Sequence, residues 1–452
     1  MTLKLKAIIK IALNTILLPG IILTVMSCKE CPSEPEPEPE PEPEYNIHLS
    51  TEDVLCTRVT FNITLPDSGI ISFFELNRNG CPIDTYSCVS VDTFIIDENL
   101  VPDSDYHYKV RFLKNGEIEA ESDSVKIHTL PSTSHDIVWE IDTLGNYDSY
   151  LKDVWIVDEN NIWVVGNIET DSGEYNAAHW NGSEWELLGI YSNTADVYSI
   201  CYFFINDIWV TSHCLPLHWD GNKWTLYNIQ NMGLDACAGY AIWASSPDDI
   251  YFIGYRGSIV HYNGSDFTKM DIPTEDGTTE ADLLDIWGSD ENHIWACGYD
   301  DQTPANLLLT YQSGEWTQVY DASRYRFEYQ RDSLCAQVLS IWSSSSFVYV
   351  LTGFGVHRCR FQTNGEAERL WLNQTGLAQR KIRGNGDNDL FMIGQCADIW
   401  HFNGIEWHYY NEIVNDLDRL KSVCVRDDII VAVGERRYNG IQRLGLVMIG
   451  YR

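Results

Sequence analysis

The chain has 452 residues, with 66 Asp and Glu against 30 Lys and Arg, a formal charge of −36 at pH 7. So acidic a surface repels phosphate backbones, which argues against nucleic acid as a partner.

In chain order, residues 1–27 read as a targeting segment. Lys4, Lys6 and Lys10 precede an apolar run, Ile16-Leu17-Leu18-Pro19-Gly20-Ile21-Ile22-Leu23, which is too short for a comfortable membrane span. The run leads into Val25-Met26-Ser27-Cys28, which resembles the lipobox of a bacterial lipoprotein signal peptide. That resemblance implies cleavage before Cys28, diacylglycerol on its sulfur, and a mature protein tethered to a membrane by lipid. The alternative is an ordinary signal peptide with a coincidental cysteine. Residues 28–44 repeat Glu-Pro from Glu34-Pro35 to Pro43-Glu44. Proline extends the backbone and like-charged glutamates repel, so the segment is expected to be a stalk. Its acidic start resembles the export tags of surface lipoproteins in the Bacteroidetes group, which implies an outer-membrane or cell-surface location.

Residues 45–131 read as a small β-sandwich. Strand-like runs include Val59–Ile63, Ile70–Phe74, Tyr106–Val110 and Ser124–Thr129. Leu100-Val101-Pro102 followed by Tyr106 and Tyr108 resembles the end of a fibronectin type III domain, where a Leu-x-Pro turn leads into a Tyr-bearing strand.

From residue 136 to 452 a motif recurs seven times. Each copy opens on a mostly apolar pair: Val154-Trp155, Ile200-Cys201, Ile242-Trp243, Ile286-Trp287, Ile341-Trp342, Ile382-Arg383, Val423-Cys424. A second pair follows about eight residues on, usually trailed by glycine (Gly166, Gly254, Gly298, Gly353, Gly394, Gly434). Four copies then show an aromatic, Asn-Gly or Asp-Gly, and a second aromatic, as in Trp180-Asn181-Gly182 to Trp185. Asn-Gly and Asp-Gly suit the positive φ of tight hairpins. Four short strands per copy at this period predict an all-β fold, a seven-bladed β-propeller, with six or eight blades as alternatives. Ile137–Ile141 looks like a fourth strand without its first three, and the last copy stops after a third near Leu446–Ile449. The early strand is therefore expected to complete the last sheet, removing exposed edges. The turns also resemble those of Asp-box propellers, the architecture of sialidases and photosystem assembly factors. The motif here is Asn/Asp-Gly-x-x-Trp in place of Ser-x-Asp-x-Gly-x-Thr-Trp, and a sialidase's arginine triad cannot be placed. The resemblance therefore implies fold and not hydrolysis.

Of the thirteen cysteines, those other than the lipid-bearing Cys28 are scattered, with no Cys-x-x-Cys pairs or zinc spacing among them, and no cofactor or metal is expected. Cys214 and Cys237 are a plausible disulfide. His179, His218, His261 and His401 occupy equivalent places in the repeat and are read as hydrogen-bonded structural residues. Function is expected where the repeat breaks, in the long connections of one face. The longest carries Arg324, Tyr325, Arg326, Phe327, Tyr329 and Arg331, and a loop of the same class carries Arg436, Arg437 and Tyr438. Planar cations interleaved with rings suit a glycan or protein partner. The competing class is a glycan-acting hydrolase or lyase, which would need a carboxylate pair at the channel mouth.

Overall fold

The computed structural model describes residues 47–64, 73–87, 92–114, 117–192, 195–272, 281–299, 306–321, 337–360, 368–373, 376–438 and 442–452. The targeting segment 1–27, the stalk 28–44 with Cys28, and Arg324, Tyr325, Arg326, Phe327, Tyr329 and Arg331 lie outside the described residues. Apart from one 3-10 turn at Asn411–Ile413, every regular element described is a β-strand.

The first part is built from two sheets. One orders His48–Val54, Arg58–Thr64 and Asp92–Glu98; the other orders Cys81–Ser87, Phe73–Arg78, Asp105–Lys114 and Glu117–Glu121, with Val125–His128 also on the Asp105–Lys114 strand. Alternation along Arg58–Thr64 turns Val59, Phe61 and Ile63 inward. Phe61 meets Tyr108 with ring centroids 4.6 Å apart, and Leu76, Val110 and Ile127 complete the same core. The Val101 N–H donates to the Tyr106 hydroxyl at 2.9 Å, so the tyrosine ties down the turn that precedes its own strand.

Among the described residues, the remainder forms seven four-stranded antiparallel sheets. Their first strands are Tyr150–Asp158, Val197–Phe204, Cys237–Ser246, Asp282–Asp290, Val338–Ser343, Gln379–Gly386 and Asp418–Arg426. Each first strand packs on the next, and Asp418–Arg426 packs back on Tyr150–Asp158, so the sheets form a ring around an axis. The fourth strand of the seventh sheet is Val138–Leu144, drawn from the start of the segment; Val138 pairs with Tyr451 and Trp139 with Gly450. Adjacent sheets bury both faces of their middle strands. Thus Val431 and Val433 share one cluster with Ile162 and Val164 of the first sheet, while Ile430 and Ala432 pack on Phe391 and Ile393 of the sixth.

The glycine turns differ from two-residue hairpins. Gly182 takes φ +90° while Asn181 keeps negative φ. Asn181 instead accepts hydrogen bonds through Oδ1 from the backbone N–H groups of Ser183 (3.0 Å) and Glu184 (3.1 Å), and Asp220, Asn263 and Asn403 do the same in their sheets. The Asn or Asp is thus required for its acceptor oxygen and only the Gly for its backbone.

The sandwich meets the fifth and sixth sheets. Arg360 pairs with Asp53, Arg58 Nη1 lies 3.2 Å from Glu368 Oε2, and Leu55 joins the core around Trp342 and Trp371. In the connecting segment, Thr133 donates to the Asn388 carbonyl at 2.7 Å.

Candidate functional site

One irregularity recurs where the first strands begin. In the first sheet Leu151 pairs with Gly166 and Asp153 with Val165, which leaves Lys152 as an unpaired extra residue. The same bulge isolates Tyr198, Leu284, Leu339, Arg380 and Lys421 in the second, fourth, fifth, sixth and seventh sheets. The third sheet has a longer slip, between Cys237 and Ala241, that contains Tyr240. A bulge breaks the pleat and re-aims its side chain. The glycine after the second pair explains how the bulge fits: a Cβ on Gly298 would stand 1.9 Å from the Asp282 carbonyl oxygen, and one on Gly434 2.0 Å from that of Arg419.

All seven of these side chains line one cavity of 210 Å³ at the mouth of the axial channel, with Tyr299 beside them. The mouth is at the end where first strands start, which also carries the second-to-third and fourth-to-first connections. Around the ring its chemistry falls into two arcs. Arg380, Lys421 and Lys152 stand on consecutive sheets, and Tyr198 and Tyr240 on the next two. Lys152 Nζ sits 3.9 Å from the centre of the Tyr198 ring, where the two arcs join.

Beneath the mouth lies a hydrogen-bonded belt. Asp153 accepts from Ser199 Oγ (2.7 Å), Ser422 Oγ (2.7 Å) and the Ile200 N–H (3.1 Å). Asp285 accepts from Ser340, from the Ile341 N–H at 3.0 Å, and from Arg383 through two bonds of 2.6 and 2.9 Å; Lys381 Nζ is 3.1 Å away. Burial would push the Asp285 carboxyl up, but Arg383 and Lys381 outweigh it and hold it below the usual carboxylate range. A second cavity of 200 Å³, lined by Trp155, Ile242, Trp287 and Arg426, continues along the axis.

The mouth's own cations stay largely uncompensated. Burial, then repulsion from Arg380, Lys152 and Arg437, lowers the Lys421 pKa against the opposing pull of Glu435. Burial likewise lowers that of Lys152, although Asp196 opposes it. Glu435 itself receives Arg437 Nε at 2.7 Å and Arg443 Nη1 at 3.3 Å.

Arg436, Arg437 and Tyr438 end the second strand of the seventh sheet. Arg436 is engaged by Asp418 through two bonds of 2.7 Å, Arg437 by Glu435, and the Tyr438 ring is partly exposed. They stand on the mouth side of the ring but not in the cavity wall. The bulge residues were legible as a column in the repeat, two places before each apolar pair, with cations in the sixth, seventh and first copies. They stand in the first strands and not in the long connections.

The four repeat-equivalent histidines are structural. His218 stacks on Trp209 at 4.3 Å and bonds Asp207 at 2.8 Å; His261 stacks on Tyr251 and bonds Asp249, and His179 and His401 follow the same plan. Among the described residues no group of three or more His, Cys, Asp or Glu is placed to hold a metal ion.

No protein-family model matches the chain, and no curated protein matches it. Solved structures do. The chain is similar to YCF48 bound to D1 peptide, with a TM-score of 0.52 at 13% identity over 71% of this chain and 99% of that one. It is similar to virginiamycin B lyase from Staphylococcus aureus, with a TM-score of 0.52 at 14% identity over 69% of this chain and 99% of that one. YCF48 from Cyanidioschyzon merolae gives a TM-score of 0.52 at 11% identity over 69% and 98%. At such identities the likeness defines the fold alone, a β-propeller built of repeated four-stranded sheets.

Proposed function

We propose that this is a lipid-anchored protein of the cell surface. A fibronectin type III-like sandwich carries a seven-bladed propeller away from the membrane, and the propeller binds a glycan or protein partner through its long-loop face. The observation that carries the binding reading is the mouth: cationic and aromatic bulge residues converge on one cavity in a chain of charge −36. An enzyme reading would need a carboxylate there free to take or give a proton. Asp153 and Asp285, the two carboxylates of the wall, are instead saturated by hydroxyl, amide and guanidinium donors. YCF48 bound to D1 peptide is an instance of this fold holding a peptide. The Val101–Tyr106 bond supports the type III reading of the sandwich, since a tyrosine that anchors its own preceding turn is typical of such sandwiches.

The test is a binding screen of the purified full chain against glycan arrays and surface-protein extracts. It is repeated with Tyr198→Ala/Tyr240→Ala, and separately with Arg324→Ala/Arg326→Ala. Loss of binding in the tyrosine variant is expected. Loss only in the arginine variant moves the site to the long loop, and absence of any ligand refutes the binding reading. For the anchor, Cys28→Ala should release the protein from the membrane fraction, and retention there would refute lipidation.

A further inference from the structure

Resting on the reading of the mouth as a binding site, we infer that it takes an acidic sugar residue, a hexuronate ring. The ring's carboxylate would lie among Arg380, Lys421 and Lys152, and its carbon–hydrogen face against Tyr198 and Tyr240. Three observations meet here. First, Arg380 and Lys421 have no ion-pair partner among the described residues, and Lys152 has only a long contact, 3.7 Å, to Asp196. Glu435, the acid that faces Lys421, is already held by Arg437 and Arg443. The wall sets four cations, Lys152, Arg380, Lys381 and Lys421, against the two carboxylates of Asp153 and Asp285, a local surplus that suits an anion in so acidic a chain. Second, the two arcs differ in chemistry and meet at Lys152 and Tyr198. Charge occupies the sixth, seventh and first sheets and aromatic rings the second and third, so the cavity fits a ligand that is anionic at one end and flat at the other. Third, the cavity of 210 Å³ sits on the axis and is walled by side chains, room for one ring and not for a length of chain. A peptide's Asp or Glu would satisfy the cations but offers no rigid face to the tyrosines.

Titration calorimetry of the full chain with galacturonate and glucuronate trimers, the corresponding neutral trimers and a Glu-rich peptide tests this. We expect acidic trimers to bind at least tenfold more tightly than neutral ones, with affinity falling as salt rises. Lys421→Gln and Arg380→Gln should each remove most of that preference, and Lys421→Arg should keep it. The same Lys421→Gln variant should melt no lower than the parent, because a self-repelling cation is removed; a lower melting temperature would make Lys421 a structural residue and overturn the assignment. Equal binding of neutral trimers overturns the inference while the mouth remains a glycan site. Binding of the peptide alone overturns it in favour of a protein partner. If none of these binds and the array screen is also blank, the underlying binding reading falls with it.

Discussion

Arg383 and Asp285 share two hydrogen bonds of 2.6 and 2.9 Å although they belong to the sixth and fourth sheets, with the fifth between them. Arg383 spans the gap by donating also to the Ile341 carbonyl of the fifth sheet at 2.9 Å, and its guanidinium lies 4.7 Å from the centre of the Trp287 ring. One side chain thus joins three sheets around the axis. Removing Asp285 strands the Arg383 charge in a buried site, which costs about 3–5 kcal/mol, whereas removing Arg383 leaves Asp285 paired with Lys381. Asp285→Ala should lose stability of that order in urea denaturation, and Arg383→Met should lose less. The double variant should lose less than the sum, because the two residues act as a unit. The folded carboxyl is held below its unfolded pKa of about 3.9, so the pair's contribution is complete above that pH and is lost as pH falls through the folded value. Fully additive losses would show that the bridge is not a unit.

Arg383 also marks the limits of what the sequence disclosed. The repeat makes apolar pairs, glycines and Asn-Gly turns visible because each sheet must meet the same packing demand, and the strand expected at Ile137–Ile141 is the Val138–Leu144 strand on the last sheet. In the sandwich, Val59–Ile63 and Tyr106–Val110 fall within Arg58–Thr64 and Asp105–Lys114, while the expected Ile70–Phe74 run is described only from Phe73. The residues proposed to bind obey no such demand. Lys152, Arg380 and Lys421 look like surface charges because nothing local to the chain says that a bulge turns them to a common axis; only the ring brings them together. Arg383 is similar, an arginine where other copies carry Trp or Cys, and its partner lies 98 residues away.

Cys214 and Cys237 form a disulfide with Cα atoms 4.4 Å apart, closing a loop of 23 residues that joins the second and third sheets behind Tyr240. Constraining the unfolded chain by a loop of this length contributes about 3 kcal/mol. Cys214→Ser/Cys237→Ser should therefore unfold at lower urea concentration by up to that amount, and reductant should do the same to the parent. Equal midpoints with and without reductant would mean that the bond does not support the fold.

His135 lies in the segment that connects the sandwich to the ring. Its Nδ1 is 2.8 Å from Nδ1 of His401, and its ring stacks on His408 at 4.9 Å. Burial, then the neighbouring His401, His408 and Arg452, push its pKa down to about 4, with Asp136 opposing. The unfolded chain, with an ordinary histidine pKa of about 6.5, therefore binds more protons in this window, and stability falls as pH drops from about 6.5 towards 4. Because the ring is partly solvated, we expect about 1 kcal/mol, less than the full shift would imply. Melting temperatures at pH 7.5 and pH 5 should diverge for the parent, and the gap should narrow in His135→Phe. The same gap in both proteins would place the acid sensitivity elsewhere.

Gly434 tests whether the bulge itself makes the site. Its Cβ would fall 2.0 Å from the Arg419 carbonyl oxygen and 2.8 Å from Leu420 Cα, so Gly434→Ala must push the first strand of the seventh sheet away where Lys421 leaves the pleat. Backbone cannot give as a flexible side chain can, and overpacking of this kind costs about 1–3 kcal/mol. Gly314 is the control. It holds φ +89° with nothing within 4 Å of its Cβ, so Gly314→Ala strains only the backbone, by about 1–2 kcal/mol. The two variants should unfold at comparable denaturant concentrations. Below their transitions, only Gly434→Ala should weaken ligand binding at the mouth, through displacement of Lys421. Equal affinities in the two variants would show that the mouth tolerates loss of its bulge geometry, and that the register slip serves sheet curvature alone.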